Sequence, residues 1–134
     1  MPRVEVLYMH PLHRREVRNH IVPVIQAQVA DLFSCTLDPD ELDGQPYCTV
    51  TPGMVKVVRL AWMHRFNSVN MKGLSIVVFA RPFRARLGHE REYARKIREA
   101  VQSLPLLSDG TAVEVNCILP PFGWSGGVVG EMPL

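Results

Sequence analysis

A strand–helix–strand pattern that occurs twice along the chain constrains the fold more than any other feature. The first copy starts with the short strand pattern of residues 1–9 and ends with the β-rich segment Met54–Met63. Between them, apolar residues recur every three or four positions over Arg14–Leu32, which predicts a helix. Pro23 lies inside this segment. Because proline lacks a backbone donor, it predicts either a kink or two shorter helices with Pro23 in the first turn of the second.

The second copy begins with the almost wholly apolar run Leu74–Ala80, which predicts a central strand that is buried on both faces. An amphipathic helix is predicted over Gly88–Leu104, where Glu92 and Lys96 are spaced for an ion pair on the polar side. A strand over residues 112–119 completes this copy.

Together these segments predict an α/β (α+β) fold in a single domain of residues 1–134, with pseudo-repeat halves of about 1–66 and 67–134. We expect two βαβ units that form a four-stranded mixed sheet with two helices on one face. The strands within each half should be parallel, through a right-handed crossover. The glycine-rich tail at residues 122–129 predicts a short C-terminal hairpin.

Composition and charge exclude several functional classes. Hydrophobic residues make up 47% of the 134 positions, and the net charge of +2 is too small to indicate a nucleic-acid binder. No apolar run approaches the ~18 residues of a membrane helix, and Arg3 and Glu5 interrupt any apolar core of a signal peptide. We therefore expect a cytoplasmic protein without nucleic-acid or membrane partners.

The spacing of cysteine and histidine predicts neither a metal site nor a disulfide framework. The three cysteines, Cys35, Cys48 and Cys117, are widely separated and form no CxxC pair, which favours reduced thiols. The five histidines show no HxxxH or HExxH spacing on one helix. We expect no bound metal and no organic cofactor.

Turn-forming residues fill the segment from Ser34 to Gly53, including Asp38-Pro39-Asp40 and Asp43-Gly44. They predict a mostly irregular loop over this segment. A loop of this length in a compact domain is often functional, or else it contains a short regular element.

Pro2 stands at the head of the first strand, where its missing N–H breaks no ladder hydrogen bond. If Met1 is removed, Pro2 becomes a secondary amine held on a rigid element. Such an amine needs desolvation or nearby cations to act as a base near neutral pH. The alternative is that one of 11 prolines stands at this position by chance, and an acylated Pro2 has no basic nitrogen.

Four arginines follow the second buried strand pattern within eleven residues: Arg81, Arg84, Arg86 and Arg91. Guanidinium groups bind carboxylates through two hydrogen bonds, and positive charge near a terminal amine lowers its pKa. The same residues also fit a solvated loop and the start of a helix. We assign Arg91 and Arg86 to that solvated surface.

The N-terminal proline, the two βαβ patterns and the C-terminal sequence PPFGWSGG resemble the tautomerase superfamily. The double length is similar to the carboxymethyl-hydroxymuconate isomerase, macrophage migration inhibitory factor and cis-chloroacrylic acid dehalogenase groups. The resemblance implies a cofactor-independent isomerase that moves a proton in a small α-keto or enol carboxylic acid. It also implies that Pro2 is the catalytic base and that the first and third strands are antiparallel.

By the same resemblance, Arg81 and Arg84 fall where dehalogenase-like members carry an Arg-x-x-Arg pair that holds the substrate carboxylate. Lys56 falls where the short tautomerases place a carboxylate-binding arginine. Phe122 or Trp124 would form the aromatic wall beside the proline.

The tail departs from two hydrolytic patterns. No carboxylate lies among Gly123–Val129, which disfavours hydrolytic dehalogenation, and Ser125 lacks the following helix of a serine-hydrolase nucleophile. An apolar hairpin alone is marginal, so we expect Phe122–Met132 to cross to a neighbour in a closed homotrimer. The rival interpretation is a non-catalytic binding module with a tautomerase-like or ferredoxin-like fold.

Overall fold

The computed structural model describes residues 1–9, 11–63, 73–107 and 111–120. The predicted C-terminal hairpin, with Phe122 and Trp124, lies outside these residues. In chain order the elements are β1 (Arg3–Tyr8), α1 (Arg14–Glu16), a π-helical turn (Val17–Ile21), α2 (Val22–Phe33), β2 (Cys35–Thr36), β3 (Tyr47–Cys48), a 3-10 turn (Pro52–Met54), β4 (Lys56–Trp62), β5 (Gly73–Phe79), α3 (Glu90–Gln102) and β6 (Ala112–Ile118).

Four of the strands form one mixed sheet in the order β4-β1-β5-β6. β1 is parallel to β4, and β5 is parallel to β6, so the flanking strands of each βαβ unit are parallel neighbours. The two central strands, β1 and β5, are antiparallel. The predicted four-stranded mixed sheet is therefore confirmed.

The main core lies between one face of this sheet and the helices. Alternate residues of β1, namely Val4, Val6 and Tyr8, are buried, which is the period-two pattern of a strand with one covered face. The helices supply the other layer, chiefly through Ile21, Ile25, Val29, Phe33, Tyr93, Ile97 and Val101. All of these side chains belong to a single cluster, so both helices cover the same face.

Pro23 lies just after the first helical segment changes from a π-helical turn to α2, in the first turn of α2, as one of the two predicted alternatives states. Because α2 follows the π-helical turn without a break, the missing N–H falls where the hydrogen-bond pattern changes. The preceding turn is π-helical, and the Val22 amide donates to the carbonyl of Val17 five residues earlier. Within the described parts of the chain, no helix is long and apolar enough to cross a membrane.

The segment predicted as a mostly irregular loop contains a small hairpin. β2 and β3 pair antiparallel, with Cys35 opposite Cys48, and a 3-10 turn follows before β4. Cys35, Leu37 and Phe83 form a second, smaller cluster, on which Leu42 and Cys48 also pack. Apolar contacts therefore attach the loop to the segment that follows β5.

Candidate active site

Pro2 is buried at the head of β1, one of the two central strands of the sheet. Its carbonyl accepts a hydrogen bond of 3.1 Å from the backbone N–H of Lys56, which begins the neighbouring strand β4. On the other side, β5 ends beside the start of β1. Residue 2 therefore lies at one end of the sheet with a strand on each side.

The antiparallel register of β1 and β5 brings Arg81 to this end of the sheet. Arg3 pairs with Phe79, the last residue of β5, so Arg81 follows at the same end of the sheet as Pro2, and its charge acts on the terminal amine of the chain. This strand direction is the one that the resemblance implied, and it is confirmed. The Arg81 guanidinium lies 4.9 Å from the centroid of the Phe83 ring, a cation–π contact.

The electrostatic surroundings of the terminal amine favour its neutral form. Burial lowers the pKa of the Met1 amine, and the charges of Arg86, Arg81 and Arg3 lower it further, while Cys48 acts in the opposite direction. Met1 as a whole is 64% exposed, so it is the amine rather than the side chain that the protein partly surrounds. The start of β1 is thus a place where a terminal amine is less basic than usual.

Arg84 is engaged by the acidic loop after β2. Its Nη1 donates to Asp38 Oδ2 at 2.6 Å, and its Nη2 donates to Asp40 Oδ2 at 2.7 Å. The backbone N–H of Arg84 also donates to Glu41 Oε2 at 2.9 Å. The residue expected to hold a substrate carboxylate therefore binds carboxylates of its own chain.

Arg86 is buried, so the sequence-based assignment of this residue to the solvated surface is wrong. Its side chain is 2% exposed, and its Nε and Nη2 donate to the Phe33 carbonyl at 3.0 and 2.8 Å. Nη1 donates to the Arg81 carbonyl at 3.0 Å, and the guanidinium also faces the rings of Phe33 and Phe83. The charge of Arg86 can be buried because backbone carbonyls from two segments accept hydrogen bonds from it. The number of arginines in a stretch of sequence does not reveal such a position.

Lys56 contacts Pro2 through its backbone N–H. It is exposed and pairs in register with Arg3. Because successive side chains of a strand alternate between faces, Lys56 shares a face with Arg3 and not with Pro2. Phe122 and Trp124, the proposed aromatic wall, lie outside the described residues.

A second basic site lies at the edge of the sheet and was not predicted. A shallow cavity of about 280 Å³ is lined by Arg14, Arg18 and Arg59 together with apolar residues of β4. Arg14 Nη1 donates to the carbonyl of Leu60 at 2.7 Å, which caps part of the exposed strand edge. The spacing of Arg14 and Arg18, one helical turn apart, is the only sequence signal for this cavity.

No protein-family model and no curated protein matches this chain. Among the described residues, no group of three or more His, Cys, Asp or Glu side chains is placed to hold a metal ion.

Proposed function

We propose that this protein is a cofactor-independent tautomerase in which Pro2, as a free terminal amine, moves a proton between carbon and oxygen of a small α-keto or enol carboxylic acid. The observation that carries the proposal is the antiparallel pairing of β1 and β5, which puts Arg81 at the same end of the sheet as Pro2. A proton-transfer enzyme needs a base and, near it, a positive group where oxyanion character develops. Pro2 and Arg81 supply these two parts.

Arg81 would both bind the substrate and help to activate the base, whereas the buried Arg86 would act only on the base. Arg86 and Arg81 lower the pKa of the amine at residue 1, and removal of Met1 would leave the Pro2 amine next to the same charges. In the proposed reaction the neutral amine takes a proton from the substrate and returns it to the other atom of the keto–enol pair. Arg81 holds the carboxylate throughout. Because the amine returns the proton that it takes, the net charge of the substrate is unchanged.

Arg84 can bind the substrate carboxylate only after it releases a carboxylate of its own chain. Its guanidinium is bound by Asp38 and Asp40, and a substrate carboxylate would have to replace at least one of them. Because the Arg84 side chain is 57% exposed, that exchange costs little desolvation. Arg81 is therefore the first binding residue, and Arg84 joins it after exchange.

The proposal includes a closed homotrimer in the cytoplasm, in which Phe122–Met132 crosses to a neighbour and places Phe122 or Trp124 beside Pro2. Both β4 and β6 are edge strands of the described sheet. On β4, Val58 and Trp62 are 53% and 52% exposed, an apolar edge that a neighbouring chain would cover. A monomer in light scattering at micromolar concentration would refute the trimer.

The decisive experiment combines intact mass with activity. Mass spectrometry of the purified protein should show loss of Met1. Turnover of 2-hydroxymuconate or phenylenolpyruvate should fall by at least about 100-fold in Pro2→Ala, because the primary amine that remains is not held in a ring and a well-positioned base contributes that much. Pro23→Ala, which changes an exposed proline in α2, is the matched control and should retain turnover. Unchanged turnover in Pro2→Ala would exclude the mechanism.

A non-catalytic binding module is the second candidate, and the engagement of Arg84 by Asp38 and Asp40 favours it. In such a module the acidic loop would be a structural brace and no carboxylate would exchange. The parallel partners in each βαβ unit are adjacent, unlike the split βαβ arrangement of a ferredoxin-like sheet, so the module would be tautomerase-like. Retention of Met1 without turnover would support this candidate.

A further inference from the structure

Two thiols face each other across the small hairpin. Cys35 of β2 and Cys48 of β3 are direct partners in the antiparallel register, so their side chains lie on the same face. Opposed residues in such a ladder have Cα atoms about 4.5 to 5.5 Å apart, inside the range of about 4.4 to 6.8 Å found for disulfides. Both cysteines are free thiols in this structure.

The two thiols also share a buried cation. Arg86 Nη2 lies 3.8 Å from Cys48 Sγ. The positive charge of Arg86 also acts on Cys35, where it lowers the pKa of the thiol. A guanidinium beside a thiol favours the reactive thiolate. Burial opposes this effect at Cys35, whose pKa is raised, and Cys35 is only 9% exposed. Cys48 is the more accessible of the two thiols.

We propose that Cys35 and Cys48 are a redox-active dithiol that a peroxide converts to an intrachain disulfide. The Cys48 thiolate attacks one peroxide oxygen, the O–O bond breaks, and a sulfenic acid forms on Cys48 while the other oxygen leaves as hydroxide, which takes up a proton. The Cys35 sulfur then attacks the Cys48 sulfur, and water leaves as the S–S bond forms. The two thiols supply two electrons, the peroxide is reduced to two waters, and a dithiol reductant reverses the change.

The position of the pair gives oxidation a structural consequence. The hairpin that would be closed carries Asp38 and Asp40, which bind Arg84. A covalent link between β2 and β3 would hold the base of this loop and restrict its movement away from Arg84. The proposal does not depend on tautomerase activity, because it rests only on the hairpin and Arg86.

The test treats the purified full-length chain with hydrogen peroxide, alkylates the remaining thiols under denaturing conditions, and measures intact mass and peptide mass. The wild-type chain should lose two alkylatable thiols and about 2 Da per molecule, with the Cys35 and Cys48 peptides linked within one chain. A dithiol reductant should restore both thiols.

Cys117→Ser is the matched control, because burial raises the pKa of the Cys117 thiol to about 12 and it lies on β6, outside the hairpin. This variant should still form the intrachain disulfide, whereas Cys35→Ser and Cys48→Ser should not. Retention of three alkylatable thiols, a link that involves Cys117, or a link only between chains would overturn the proposal.

Discussion

Arg84 binds Asp40 through both branches of its guanidinium, with Nη1 2.9 Å from Oδ1 and Nη2 2.7 Å from Oδ2. This is the two-bond geometry by which arginine recognises a free carboxylic acid. The loop after β2 thus presents to Arg84 the same chemical group that the proposed substrate would present. Competition between the two is the simplest way for this loop to affect binding.

The Arg84–Asp40 pair should make stability depend on pH at the acid end. Hydrogen bonds from Arg84 lower the pKa of Asp40 from 3.8 to about 2, so the pair stabilises the fold fully above pH 3.8. Between pH 3.8 and about 2 the unfolded chain binds the Asp40 proton while the folded chain does not, so the contribution declines over this range and is lost once the carboxyl is protonated in both states. We expect the urea midpoint of Asp40→Asn to approach that of wild type between about pH 5 and about pH 2.

Asp31→Asn, on the exposed side of α2, is the control for removal of one carboxylate. High salt should also reduce the difference between Asp40→Asn and wild type, since exposed ion pairs are screened. A difference that stays constant across this pH range would contradict the pairing.

Arg86→Met should destabilise the fold markedly. The substitution removes the donors to the Phe33 and Arg81 carbonyls and leaves these acceptors without their partner. Loss of hydrogen bonds from a charged donor in a buried position predicts a decrease in unfolding free energy of roughly 2–4 kcal/mol. Chemical denaturation of the variant and wild type measures this difference.

Arg91→Met, an exposed arginine on α3, is the matched control and should change stability by no more than about 0.5 kcal/mol. Equal effects of the two substitutions would mean that Arg86 is solvated after all.

The charge of Arg81 should have a measurable effect on the pKa of the terminal amine. In the chain that begins with Met1, Arg81 is among the groups that lower the pKa of the terminal amine. Arg81→Gln should therefore raise that pKa toward its usual value, as seen in the pH dependence of amine acylation. Arg84→Gln, whose positive charge is already paired with Asp38 and Asp40, should have the smaller effect. The reverse order would place Arg84, not Arg81, beside the amine.

Local periodicity in the sequence determined most of the regular elements. The spacing of Tyr93, Ile97 and Val101 predicts the buried stripe of α3, and the same three side chains are buried in the structure. Pro23 likewise predicts a kink or the first turn of a new helix, because its missing N–H is a property of the residue itself, and the structure places it in the first turn of α2. Such signals depend only on residues within one or two helical turns, so they can be recognised without knowing which distant residues pack nearby.

Tertiary structure decided the direction of β5 against β1 and the partners of the arginines. Arg86 meets Phe33 across 53 positions of chain, and Arg84 meets Asp40 across 44. Four arginines in one segment have the same local pattern whether their charges face water, a carboxylate or a buried carbonyl. Only the packing of the β2–β3 loop against the segment after β5 distinguishes them, because burial and charge pairing depend on which distant groups the fold brings within hydrogen-bonding distance.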